Sequence, residues 1–236
     1  MRKYKHLFFD LDNTLYDFEH NSYLALKSAF KKLDLLGQIA SFDEYFSVYS
    51  AINEALWAEY REQRMPKEIL RGKRHIDSLA HFGIMPKTEA TQIDDLYLKE
   101  MTGQTELFPC TVEVLTELKK RGYIIHIITN GFKEVQHDKL HNTGLIKYLT
   151  NIYISEEIKA PKPSREIFEH AIKSSNARKK ESLMIGDSWE SDIIGAKNFG
   201  IDQVFFKLNN NEVEYGTLGE PTYTISKLDE LLNILH

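Results

Sequence analysis

The sequence predicts a doubly wound, Rossmann-like parallel α/β sheet with a helical domain inserted after the first strand. Three observations predict it. Short, almost wholly apolar runs such as "YIIHIIT" (Tyr123 to Thr129) and "SLMIG" (Ser182 to Gly186) read as strands covered on both faces. Helix-period segments separate these runs, the alternation expected of right-handed βαβ crossovers. From residue 17 to residue 102 the alternation stops and four amphipathic helical patterns follow one another with no strand between them. The sheet domain is therefore expected over 1–16 and 103–236, and the helical insert over 17–102.

In chain order, the first strand runs through "HLFF" into Asp10-Leu11-Asp12. The insert's helices are expected near Asn21 to Leu35, Phe42 to Arg61, Pro66 to Phe82 and Thr88 to Thr102, punctuated by Gly37, Pro66 and the Gly83 to Pro86 region. The sheet resumes near Phe108. A helix over Thr111 to Arg121, with Thr111 as its cap and Gly122 as its stop, leads into the strand Tyr123 to Thr129. Then follow a helix over Lys133 to Asn142 ended by Gly144, the strand "NIYIS" (Asn151 to Ser155) and a helix over Arg165 to Ser174. The strand "SLMIG", a helix over Trp189 to Phe199 stopped by Gly200, and the strand "QVFF" (Gln203 to Phe206) complete the set. "KLNNNE" (Lys207 to Glu212) reads as a polar loop.

Composition narrows the function classes. A net charge of −5 offers no electrostatic footprint for a nucleic-acid polymer or an acidic membrane surface. The densest basic run, Arg178 to Lys180, reads as a solvated turn between a helix and a strand. The single cysteine, Cys110, excludes an internal disulfide and fits a reducing compartment. No run approaches the ~18 apolar residues of a membrane span, and the N-terminus lacks a signal-peptide shape. The expectation is a cytoplasmic protein whose partner is a small molecule.

In an open parallel sheet, ligands bind beyond the carboxyl ends of the strands. The predicted strand ends carry Asp10 and Asp12, then Thr129-Asn130-Gly131, then Lys162 between two prolines, then Asp187 with Asp192 five residues on. Carboxylates gathered at one edge with a single lysine would repel one another by several kcal/mol. A hard divalent cation relieves that repulsion, and Mg²⁺ prefers such oxygen ligands. A carboxylate nucleophile, a metal and two further anion holders amount to machinery for phosphoryl transfer.

"FFDLDNTLYD", "IITNG", "KPS" and "MIGDSWESD" resemble, in order and spacing, the four motifs of the haloacid dehalogenase-like hydrolases, and the resemblance covers the whole chain. It implies that Asp10 is a nucleophile forming an aspartyl-phosphate, and that Asp12 is the acid and then the base of the two half-reactions. It further implies that Mg²⁺ is held by Asp10, Asp187 and the main-chain carbonyl of Asp12. Thr129 and the amides of Asn130 and Gly131 would hold phosphoryl oxygens, Lys162 would neutralise developing charge, and Asp192 would steady Lys162 or metal-bound water. Dehalogenating members lack an acid at the position of Asp12, so ester hydrolysis is expected here.

The same resemblance makes the insert a cap that closes over the site and sets specificity. Asn53, Trp57 and Tyr60 share one stripe of a helix, and Arg71 and Arg74 follow on the next. Together they would stack a base and hold a sugar or phosphate, although Trp57 and Tyr60 equally suit packing inside the bundle. "AINEALWAEY", "IITNGFKEVQHDKL" and "YISEEIKAPKPSREIF" are similar to the YjjG-type pyrimidine 5′-nucleotidases, which implies a nucleoside 5′-monophosphate as substrate. Pro161 departs from that group, which often has a small residue there. A phosphomutase of the β-phosphoglucomutase kind and a phosphatase of sugar or other small phosphates use the same motifs. A catalytically silent binding protein would have no need of the full set.

Overall fold

Six strands form one fully parallel sheet in a computed structural model that describes residues 3–85, 90–208 and 219–236. They are β1 (His6–Phe9), β2 (Ile124–Thr129), β3 (Asn151–Ile154), β4 (Ser182–Gly186), β5 (Asp202–Phe206) and β6 (Tyr223–Ile225), in the order β3-β2-β1-β4-β5-β6. Both alternations of the central strands are buried. Phe8, Ile128 and Met184 pack with Ile167, Phe168 and Phe199, while Leu7, Phe9, Ile125, Ile127, Leu183 and Ile185 are wholly buried. Helices therefore flank the sheet on both faces, as continuous apolar runs require. β6 escapes the apolar-run signal because it is three residues long and half-exposed.

The strand order reverses at β1. The chain runs outward from β1 to β2 and β3 on one side, then returns to place β4 against the other edge of β1. Phe9 pairs with Ile127 on β2 and with Ile185 on β4, so Asp10 follows at the reversal point. The Asp10 amide still donates to the Ile185 carbonyl at 2.9 Å, which ties the start of the following loop to β4.

The chain divides into two compact units, Met1–Phe18 with Thr105–His236, and Glu19–Gln104. The second unit is helical, made by α1 (Phe18–Lys32), α2 (Phe42–Arg61), α3 (Lys67–His81) and α4 (Ala90–Thr102). Ser41 starts α2 by accepting from the Glu44 amide at 3.3 Å. Its interior is aromatic: Phe30, Tyr45, Tyr49 and Tyr97 are buried and lie in ring contact with one another or with Phe42. The expected helix start at Thr88 and most of the Lys207 to Glu212 loop lie outside the described residues.

The helices of the sheet unit are α5 (Thr111–Lys120), α6 (Lys133–Asn142), α7 (Ser155–Ile158), α8 (Arg165–Ser174), α9 (Gly195–Phe199) and α10 (Leu231–Ile234). Two expectations need correction. Thr111 does not cap α5; Cys110 holds the cap position at φ 65°, and the Thr111 hydroxyl donates back to the Phe108 carbonyl at 2.7 Å. The segment 189–199 is not one α-helix. It opens with a π-helical turn, Trp189–Ile194, before α9, and the Ile193 amide reaches the Ser188 carbonyl at 3.3 Å. Among the described residues no helix is long and apolar enough to cross a membrane.

Candidate active site

The carboxyl ends of β1 and β4 bring Asp10, Asp187 and Asp192 together, each offering an oxygen within 4.8 Å of the others. After Asp10 the chain turns sharply, with Asn13 at φ 62°, a conformation that Asn tolerates better than most residues. The turn brings Thr14 back beneath the cluster. Its hydroxyl lies 3.4 Å from Asp10 Oδ2 and 3.2 Å from Asp187 Oδ1, and accepts from the Asp187 amide at 3.2 Å. Thr14 was visible in the "DLDNT" stretch, but spacing alone assigns it no partner; the structure shows it bridging the two strand ends.

Asp192 reaches the cluster because of what surrounds it. The π turn offsets the helix by one residue, a feature frequent at functional sites. Gly186 clears the path: a Cβ there would stand 2.2 Å from Asp192 Oδ2. Asp192 is fully buried, accepts from the Ser188 amide at 3.1 Å through Oδ2, and accepts from Lys162 Nζ at 2.6 Å through Oδ1. Lys162 Nζ donates its other strong bond to Asp10 Oδ1 at 2.5 Å. The lysine loop is itself pinned by Asn130, whose side chain accepts from the Lys162 amide at 2.8 Å and donates to the Lys162 carbonyl at 2.9 Å. That two-point pairing explains why an Asn follows β2.

Three buried or half-buried acids face one ammonium, and the titration behaviour follows. Burial pushes the Asp10 carboxyl up to about 7, with Asp192 and Asp12 adding to the rise and Lys162 opposing it. Burial and the Asp10 and Asp192 charges hold Asp187 well above the usual carboxylate range. Burial alone would lower Lys162, but Asp10 and Asp192 outweigh it and hold the ammonium above its ordinary range. An all-oxygen donor set this short of positive charge fits a hard divalent cation such as Mg²⁺.

Asp12 is turned to a different set of partners. Its Oδ1 accepts from Lys139 Nζ at 2.7 Å and its Oδ2 from Gln136 Nε2 at 2.7 Å. Gln136 Nε2 also donates to Thr129 Oγ1 at 2.8 Å. The Asp12 carboxylate therefore stands apart from the three-acid cluster, and only its main-chain carbonyl is left as a metal-ligand candidate. The Gly131 amide donates to Thr129 Oγ1 at 3.1 Å, so in this arrangement it is already engaged. Gly131 also has a steric role: a Cβ there would overlap Gln136 Nε2, at 1.6 Å. Lys139 and Gln136 are site residues that sequence reasoning missed. The available signal was their i, i+3 spacing on the helix following the "IITNG" motif.

In the helical unit the structure gives the expected ligand residues other partners. Arg74 is 2% exposed and donates to Asp94 Oδ1 at 2.5 and 2.9 Å and to Asn53 Oδ1 at 3.2 Å. Arg71 donates to Asp94 Oδ2 and Asp95 Oδ1, both at 2.5 Å. His75, pushed down to about 4 by burial, completes the ring of groups around the buried Asp94. Asn53, Arg71 and Arg74 thus join Asp94 in one polar network among α2, α3 and α4, where each already has a protein partner. Buried charges need such partners, and Asp94 supplies the partner that the arginines' own sequence neighbourhood does not reveal. Trp57 and Tyr60 are half-buried, with their rings meeting edge to face at 5.4 Å between centroids.

Comparison with known proteins matches these features to a family and to full-length relatives. The family description haloacid dehalogenase-like hydrolase matches residues 4–200. The chain is 31% identical over 234 residues to the pyrimidine 5′-nucleotidase YjjG of Escherichia coli (strain K12), covering 99% of this chain and 98% of that protein. It is 32% identical over 238 residues to a glyceraldehyde 3-phosphate phosphatase of Pyrococcus furiosus, covering 100% of this chain and 94% of that one. The crystal structure of the putative HAD-hydrolase YfnB from Bacillus subtilis, solved bound to magnesium, superposes with a TM-score of 0.87 at 26% identity, covering 99% of each chain.

Proposed function

Because the chain belongs to the haloacid dehalogenase-like hydrolases, we propose that it hydrolyses small phosphomonoesters, nucleoside 5′-monophosphates foremost, through an aspartyl-phosphate on Asp10. One observation carries the reading: a buried carboxylate, Asp10, is gripped by Lys162 inside a three-acid cluster, with a second acid, Asp12, two residues on. A dehalogenating site would have no use for that second acid, since halide leaves without a proton.

In the proposed cycle an Asp10 oxygen attacks phosphorus opposite the ester oxygen. As that P–O bond forms and the ester P–O bond breaks, the Asp12 carboxyl gives its proton to the departing alkoxide. Asp12, now ionised, takes a proton from water as its oxygen attacks phosphorus, the aspartyl P–O bond breaks and phosphate leaves with Asp10 restored. Lys162 and the Thr129 hydroxyl hold phosphoryl oxygens. Asp10, Asp187 and the Asp12 carbonyl would hold Mg²⁺, and Asp192 keeps Lys162 in place beside them. The cation's contribution is to offset the repulsion between the acids and an anionic ester.

The likeness to YjjG favours a nucleotide. A second reading, a phosphatase of triose or sugar phosphates, is favoured by the equally long match to the Pyrococcus furiosus enzyme. Phosphate release should be measured over nucleoside monophosphates, glyceraldehyde 3-phosphate, hexose phosphates and small organic phosphates, with Mg²⁺ and with EDTA. The expected result is Mg²⁺-dependent release with the highest kcat/KM on a pyrimidine nucleoside monophosphate. A preference of tenfold or more for a triose or hexose phosphate would move the assignment to the second reading. Isomerised sugar phosphate without net phosphate release would replace both with a mutase.

A further inference from the structure

We propose that Lys139 and Gln136 are positioning residues for Asp12, forming a two-point clamp from α6 that aims its carboxylate at the ester and water oxygens. The inference rests on the acid and base role given to Asp12 above. Lys139 and Gln136 lie one helical turn apart, so their side chains leave the same face of α6. Each occupies one oxygen of Asp12, and both bonds measure 2.7 Å. A carboxylate has about four lone-pair positions. Two are taken by the clamp, and two remain to give or accept a proton.

Three features of the fold that are hard to explain otherwise converge on this contact. Lys139 is 3% exposed, with Nζ 4.7 Å from the ring centre of Tyr16 and 5.0 Å from that of Phe18, and lysines are rarely buried without a specific partner. The Gln136 amide oxygen is buried with no hydrogen-bond partner among the described residues. The reverse amide orientation would turn that oxygen onto the Asp12 carboxylate, so the observed one favours Asp12 at the expense of its own acceptor. Gly131 carries no side chain where Gln136 passes. Gln136 also joins Asp12 to Thr129, so the acid and one proposed phosphoryl-holding hydroxyl are oriented by a single amide. Neither clamp residue would touch the ester, and their effect passes through Asp12.

The test compares two phosphate esters that differ in their need for a proton. A nucleoside 5′-monophosphate loses its nucleoside as a poor, strongly basic alkoxide leaving group, whereas p-nitrophenyl phosphate loses a stable p-nitrophenolate. Their kcat/KM values report the chemistry through the first P–O cleavage. For Lys139→Met, kcat/KM on the nucleotide is expected to fall ~100-fold and on p-nitrophenyl phosphate less than ~10-fold, in line with the loss of general-acid assistance. Lys139→Arg, which keeps a charged donor, is expected to restore near wild-type selectivity between the two esters. Gln136→Leu should repeat the selective loss, and it carries the comparison if Lys139→Met does not fold. Equal losses on both esters, or no loss in either variant, would overturn the proposal. Asp12→Asn separates the two levels: a selective loss there with none in the clamp variants refutes the clamp alone, while no selective loss in Asp12→Asn refutes the acid role beneath it.

Discussion

At Asp10, the properties required of a nucleophile and of a buried side chain are in conflict. Burial and neighbouring acids push its carboxyl up to about 7, whereas attack on phosphorus needs the ionised form. Since the folded state holds a proton on Asp10 that the unfolded chain releases at lower pH, stability without a divalent cation is expected to fall as pH rises from the ordinary carboxylate range towards 7. Cation binding works against this and must displace the proton. The dissociation constant for Mg²⁺, measured by calorimetry, should therefore weaken roughly fivefold on going from pH 7 to pH 6 and change little above pH 8. A constant unchanged between pH 6 and pH 8 would mean that Asp10 does not contribute to the cation site. Asp10, Asp187 and Lys162 were legible in the sequence because each stands just beyond an apolar strand or inside a rigid proline-flanked loop. Lys139 was not, since a lysine on a helix reads as solvated and its partner Asp12 lies 127 residues away.

Among the elements, α3 and α4 show how much of a polar residue's setting the sequence hides. Of the acids within a turn of Arg71 and Arg74, Glu68 and Asp77, the latter pairs with Lys73 at 2.6 Å, and the sequence does not show what neutralises the two arginines. Asp94 does so from the next helix, and it is held well below the usual carboxylate range because Arg74, His75 and Arg71 outweigh the effect of burial. Removing the shared partner leaves a fully buried guanidinium unpaired. Asp94→Ala is therefore expected to destabilise the protein by ~3–5 kcal/mol, read from urea unfolding followed by circular dichroism. A change below ~1 kcal/mol would mean the network is solvated and not structural. The π turn before α9 belongs to the same scale. Helical periodicity gave no sign of it, because one inserted residue alters the pattern less than the uncertainty of any helix boundary. Yet it is the local distortion that, with Gly186, lets Asp192 reach Lys162.

Over the whole molecule, strand order does what no single motif does. Residues 10, 129, 162 and 187 are dispersed along the chain, and the reversal at β1 gathers them at the carboxyl edge of four neighbouring strands, β3-β2-β1-β4. Parallel strands buried on both faces made this architecture readable from composition and periodicity. β6 stayed unread because three alternating residues at a sheet edge carry little apolar signal. The helical unit was readable as helices, but the pairing of Arg71 and Arg74 with Asp94 across elements was not.

Everything proposed for the mechanism requires a covalent phosphoryl group on Asp10, and that species can be captured directly. Enzyme quenched during turnover of its best substrate is reduced with borohydride, which converts an aspartyl-phosphate to homoserine, and the digest is read by mass spectrometry. Homoserine at position 10, present with Mg²⁺ and substrate and lost with EDTA, is the predicted result. Active enzyme that yields homoserine nowhere, or only at another aspartate, would contradict the account.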